Sequence, residues 1–132
     1  MANRKLGRTT DIRMSMLKNL TTDLIWHEQI ETTEARAKEV KAIADSVIAL
    51  AVKEKKKEKR QKDMPSRLNA RRKMMKTINK VKDEDGNNID LTDKLFNVIA
   101  PRYASRVGGF TKIVKVGQRR GDGAETVILK LV

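Results

Sequence analysis

Arg4, Lys5, Arg8, Arg13 and Lys18 near the start of the chain are side chains suited to chemistry on phosphate. Arg67, Arg71 and Lys73 in the middle form a second group, and Arg102, Arg106, Lys112, Lys115, Arg119 and Arg120 form a third. A guanidinium fork pairs bidentately with phosphate oxygens, and an ammonium acts as a point charge. Arg4, Lys5 and Arg8 surround Gly7 in a segment without apolar periodicity. That pattern predicts a basic arm over residues 1–10 that orders on its partner. From Arg102 the chain meets no acid before Asp122, and glycines flank the basic positions, so backbone could approach another molecule closely there.

Other chemistry finds less support. His27 is the only histidine, and it falls near a predicted helix end, where a surface or capping role outweighs acid/base work. Asp83, Glu84 and Asp85 are consecutive carboxylates in a turn, without the Asp-x-Asp spacing of a calcium loop. Gly121-Asp122-Gly123 is a Gly-x-Gly, but it sits in a predicted hairpin without a following helix N-terminus or a P-loop lysine and hydroxyl. Thr21-Thr22 and Thr32-Thr33 are expected in helices and caps. Trp26 is expected in packing. The sequence therefore predicts no catalytic site, no cofactor, no metal and no small-molecule substrate.

The charge agrees with the basic groups. Among 132 residues, Lys and Arg total 30 against 17 Asp and Glu, a formal net charge of +13. Such an excess cannot be neutralised within the fold and calls for a polyanion, of which nucleic acid is the commonest. Aromatics are 3% of the chain, too few for base-stacking platforms, so the contacts would fall on phosphates and read shape. There is no cysteine, which removes disulfides, thiolate zinc sites and cysteine nucleophiles and suits a reducing compartment. Apolar runs such as Val47 to Val52 are too short to span a bilayer. No apolar signal core follows the charged start, so a soluble, cytoplasmic protein without membrane contact is expected.

The elements that must position these cations follow from periodicity. Thr10 or Asp11 can cap a first helix to about His27, with Ile12, Met16, Leu17, Leu20 and Leu24 on one face. Gln29 to Thr32 suits a brief strand. Thr32 or Thr33 can cap a second helix striped by Val40, Ile43, Ala44, Val47, Ile48 and Ala51. Lys53 to Lys82 carries 14 Lys or Arg and three acids. Residues 53–66 form a charged helix end, open to fraying, and a loop, where Glu54 and Glu58 among the lysines suit a solvated face as well as a binding one. A third helix over roughly 67–82 offers Leu68, Met74, Met75, Ile78 and Val81 to the core. Asp83 to Asn88 is a polar loop. Asp90 or Thr92 can cap a short fourth helix that Pro101 ends.

The C-terminal third changes period. Phe110 to Val116 and Thr126 to Val132 are rich in β-branched residues and predict an antiparallel hairpin with a long basic tip. The order helix, short strand, three helices, two-stranded hairpin predicts a two-layer α+β fold, a single globular domain over residues 11–132 behind the arm.

Several segments, taken together, resemble the bacterial large-subunit ribosomal protein family L-seventeen. These are Arg4-Lys5-Leu6-Gly7-Arg8, the stretch Ile30-Glu31-Thr32-Thr33-Glu34-Ala35-Arg36-Ala37-Lys38-Glu39, Leu95-Phe96, and Ala100-Pro101-Arg102-Tyr103. Arg106-Val107-Gly108-Gly109-Phe110-Thr111-Lys112-Ile113 and Gly121-Asp122-Gly123-Ala124 complete the series, in the right order over most of the chain. The resemblance implies a structural constituent of the large ribosomal subunit in translation. It also implies contacts with large-subunit ribosomal RNA near the exit of the nascent-chain tunnel and with neighbouring ribosomal proteins. Read from charge alone, a nucleoid-type DNA-binding protein is the alternative. Against it, the basic residues spread over several elements instead of gathering on one recognition helix.

Overall fold

A computed structural model describes residues 4–58 and 64–132. Helix α1 (Thr10–His27) leads through strand β1 (Gln29–Thr33) into the long helix α2 (Glu34–Glu58). Helix α3 (Met64–Thr77) precedes a small hairpin of β2 (Val81–Lys82) and β3 (Asn88–Ile89). A helical rod then comprises α4 (Leu91–Lys94), a π-helical turn (Leu95–Ile99) and α5 (Ala100–Arg102). Strands β4 (Thr111–Gln118) and β5 (Glu125–Leu131) close the chain.

The hairpin expected from the β-branched runs is there, and β1 joins it. The three-stranded antiparallel sheet has the order β1-β5-β4. Side chains alternate across a strand, and along β5 Val127, Leu129 and Leu131 are buried. Ile30 and Ile113 lie opposite Leu129 in register and share its face. That face packs on α2, whose Ala37, Val40, Ala44, Val47, Ile48 and Ala51 recur at helical spacing and are all buried. The result is the predicted two-layer α+β arrangement, with helices on one side of the sheet.

A polar clamp ties the layers at one edge. The Lys41 ammonium donates to the Thr111 carbonyl at 2.7 Å, and the Thr111 hydroxyl donates to Asp45 at 2.8 Å. Tyr103, itself buried, donates its hydroxyl to the Val132 carbonyl at 2.7 Å.

Several boundaries differ from expectation for identifiable reasons. Thr9, not Thr10 or Asp11, is the residue before α1, and its hydroxyl donates to Asp11 at 2.6 Å. Thr32 and Thr33 belong to β1, opposite Val127 and Thr126, and Thr33 directly precedes α2 with the extended backbone of an N-cap position. Helix α3 begins at Met64 and takes Pro65 into its first turn, where a missing N–H costs nothing. It ends by Thr77 rather than 82, because the Asn79 N–H donates to the Thr22 hydroxyl at 2.9 Å instead of to its own helix. Val81 then pairs with Ile89 in a two-stranded ribbon. Asp90 caps α4 as expected, accepting from the Thr92 N–H at 2.9 Å.

The π turn has a sequence cause. Leu91, Leu95, Ile99 and Tyr103, with Thr92, Phe96 and Ala100, are all buried at strict four-residue steps. In an α-helix of 3.6 residues per turn, each such step drifts by about 40°. The wider turn, in which the Ala100 N–H donates to the Leu95 carbonyl, takes up that drift and keeps both rows on the core. It also accommodates Pro101, which brings no N–H of its own.

Candidate nucleic-acid interface

The arm is rooted before it reaches solvent. Lys5 to Arg8 form a turn closed by the Arg8 N–H to the Lys5 carbonyl at 3.1 Å, with Leu6 (φ 54°) and Gly7 (φ 67°) both left-handed. A leucine in that region is strained, and its side chain packs against the hydrophobic core as the compensating gain. The Arg4 N–H reaches Glu39 on α2 at 3.4 Å. Arg4, Lys5 and Arg8 themselves stay exposed, and Arg8 also donates to the Leu6 carbonyl at 3.1 Å. Arg13 lies beside the Met14 sulfur at 3.8 Å, and Lys18 is half-buried further along α1. Among the described residues no carboxylate pairs with these five cations.

The middle group is organised differently. The Arg67 guanidinium lies 4.7 Å from the centre of the Phe96 ring, and that of Arg71 lies 6.0 Å from it. Arg71 donates to Asp90 at 2.9 Å and also to Asp93. Burial pushes the Asp90 carboxyl up, but the Thr92 hydroxyl and N–H and the nearby Arg71 hold it below the usual carboxylate range. Arg71 therefore binds α3 to the start of α4 with its own fork. Lys73, two residues on, is exposed to solvent. The charged run from Lys53 is helical as far as Glu58, with Lys53, Lys56 and Lys57 exposed. The remainder of Lys53–Lys62 lies outside the described residues.

In the last third, Arg102 spans to Glu28 with both terminal nitrogens, at 2.9 and 3.1 Å. That double hydrogen bond, helped by Lys94 at 3.5 Å, holds the Glu28 carboxyl below its ordinary value. Arg106 donates to the Gly109 carbonyl at 3.0 Å in an exposed loop. Lys112 and Lys115 are exposed on β4, on either side of Ile113 and Val114.

The hairpin tip is locked by its own ion pair. Arg119 donates to one Asp122 oxygen from Nε at 3.1 Å and to the other from Nη2. With the Ala124 N–H, this lowers the Asp122 carboxyl to about 2. Gly121 (φ 104°) and Gly123 (φ 68°) adopt backbone conformations that side chains resist, while a Cβ at either would meet nothing within 4 Å. Arg120 is left exposed between the paired Arg119 and Gly121. The Gly-x-Gly is thus the turn of a β-hairpin.

The structure divides the expected cations by what holds them. Arg71, Arg102 and Arg119 commit their forks to acids of the same chain. Arg4, Lys5, Arg8, Arg13, Lys18, Lys73, Arg106, Lys112, Lys115 and Arg120 have no such partner among the described residues. Two lysines outside the three basic groups enter the picture. Lys94 donates to the Trp26 carbonyl at 2.8 Å and supports Glu28. Lys130 lies directly opposite Lys112 in register, and the alternation of the final strand could have placed it on the face away from Leu129 and Leu131.

His27 is exposed and meets Trp26 edge-on, with ring centres 6.0 Å apart. Among the described residues, no three His, Asp or Glu side chains gather to hold a metal, and no helix is long and apolar enough to cross a membrane.

Comparison with known proteins agrees with the resemblance read from the motifs. The family model described as ribosomal protein L17 matches residues 16–132. Proteins named large ribosomal subunit protein bL17 are similar over nearly the whole chain. The one from Staphylococcus epidermidis is 49% identical, with all of both chains covered. The one from Desulfitobacterium hafniense is 48% identical, again with all of both chains covered. The one from Acetivibrio thermocellus is 43% identical, covering 99% of each. At that identity and coverage, and with a family model spanning all but the arm and the start of α1, the chain belongs to the ribosomal protein L17 family.

Proposed function

We propose that this protein binds large-subunit ribosomal RNA through phosphate contacts near the exit of the nascent-chain tunnel, and that neighbouring large-subunit proteins complete its surroundings. Family membership already makes it a structural ribosomal protein and not an enzyme. The relatives' printed name supplies the large subunit, and with it the bacterial cytoplasm.

One observation carries the RNA reading. In a chain of net charge +13, the arm, the partly exposed Arg13 and Lys18 of α1, and Lys112, Lys115 and Arg120 of the β4 hairpin have no acid partner among the described residues. Each phosphate they neutralise releases counterions, so affinity for free ribosomal RNA falls steeply with salt. With few aromatics, the protein reads backbone shape more than base identity. The tunnel-exit position is supported by the motif resemblance alone.

A photocrosslinker placed at Arg120 in assembled large subunits tests RNA contact and position together. Crosslinks to ribosomal RNA bordering the tunnel exit are expected. Crosslinks mapping only to a distant part of the subunit overturn the placement. Failure of the chain to co-sediment with the large subunit overturns the whole reading.

A further inference from the structure

Lys112 of β4 and Lys130 of β5 stand directly opposite each other in an antiparallel pair. Val127, Leu129 and Leu131 turn inward, so Lys130 takes the other face of the sheet, the one away from the helices. Gln29 of β1 sits opposite Lys130 on its far side. The row Gln29–Lys130–Lys112 therefore crosses all three strands and holds no carboxylate.

Like charges directly opposite in a sheet repel and destabilise it. Here neither ammonium has an acid partner among the described residues. Glu28, next to Gln29 in the chain, is already held by Arg102 and Lys94. Glu31, opposite Ile128, shares the open face one row along and sits diagonal to Lys130, but pairs with neither lysine. A repulsive pair on an open face is a cost within the isolated fold that a bound anion removes.

We propose that this row is a phosphate-binding site on the open sheet face, occupied by the sugar–phosphate backbone of large-subunit ribosomal RNA. The inference rests on the RNA-binding reading above and adds Lys130 to it. Opposed residues on adjacent strands have Cα atoms only about 4.5–5.5 Å apart, so two flexible lysine stems converge on one phosphate while the Gln29 amide supplies a neutral donor. Lysine makes no demand on the orientation of the oxygens, which suits a contact that reads backbone and not bases. RNA offers such anions in succession along the row, and it matches the sign of a chain whose excess charge is +13.

The test uses the full-length protein and purified large-subunit ribosomal RNA, with binding measured across a range of KCl concentrations. Lys112→Gln, Lys130→Gln and the double variant are compared with the wild type, and thermal midpoints are recorded for all four. We expect the double variant to bind more weakly, with the slope of log K against log salt shallower by about 1. We expect its midpoint to be unchanged or higher, since the repulsion is gone. Wild-type affinity and slope in the double variant would overturn the site while sparing the RNA reading. A wild-type protein with no salt-dependent binding would overturn both. Weaker binding together with a lower midpoint would show that the lysines hold the sheet rather than RNA. Unchanged RNA binding with lost incorporation into the subunit would give the row to an acidic protein neighbour. Either of these last two results also overturns the proposal.

Discussion

Arg102 grips both carboxylate oxygens of Glu28, a residue 74 positions earlier in the chain. Glu28 is the left-handed residue (φ 65°) that ends α1, with its N–H on the Leu24 carbonyl at 2.7 Å. The pair thus joins the turn between α1 and β1 to the end of the helical rod. Both side chains are more than a third exposed, at 39% and 35%, so water screens the interaction. Glu28→Gln should cost only about 0.5 kcal/mol. The same change frees the Arg102 guanidinium. RNA affinity at low salt should therefore rise as stability falls slightly, in filter binding and urea denaturation respectively. A drop in affinity would show that Arg102 acts through the pair.

The Phe96 ring is fully buried beneath the Arg67 guanidinium. Phe96→Ala should lower stability by about 3–5 kcal/mol, the cost of an unfilled aromatic site. The denaturant midpoint should move with little change in slope. A loss below about 1 kcal/mol would mean that the core collapses into the space.

Asp122 titrates at about 2, below its ordinary value of 3.8, through the Arg119 hydrogen bonds first and the Ala124 N–H second. A depressed carboxyl contributes its ordering above the unfolded value and loses it as pH falls through the folded one. The hairpin tip should stay closed at neutral pH and loosen between about pH 3.8 and 2. Amide exchange at Gly123 and Ala124 would report it. Asp122→Asn should give the loosened tip at every pH, and a tip that is indifferent to both changes refutes the account.

The arm predicts a graded effect. Replacing Arg4, Lys5 and Arg8 by glutamine should reduce the salt slope by about 0.7–0.9 for each phosphate that the arm no longer neutralises. The thermal midpoint should stay nearly intact, because Leu6 still anchors the turn. An unchanged slope would remove the arm from the interface.

Much of this architecture could be read from spacing. The stripe of α2 and the alternation of β5 point to the right elements because local period and burial agree there, whereas β4 is legible from its β-branched run alone, since its Val114 and Val116 are exposed. The end of α3 could not be read. Met74, Ile78 and Val81 continue a helical rhythm, and only a tertiary contact, Asn79 to the Thr22 hydroxyl, interrupts it. The basic positions divide in the same way. The Arg119–Asp122 pair lies three residues apart and was visible in principle. Arg71 meets Asp90 and Asp93 only because α3 packs beside α4, and Arg102 meets Glu28 across most of the chain. Composition counts these arginines as available charge, and the fold commits them internally.

The π turn makes the helical rod a helix carrying one residue more than its length requires. Asn97 and Val98, within that turn, are both exposed. Deleting either would shorten the steps between buried residues from four-four-four to four-three-four, a rhythm that an ordinary α-helix keeps on one side. The rod would become a continuous α-helix with Leu91 and Tyr103 still on the core side. The turn therefore works as a slip joint, a place where chain length can change without altering which side faces the core.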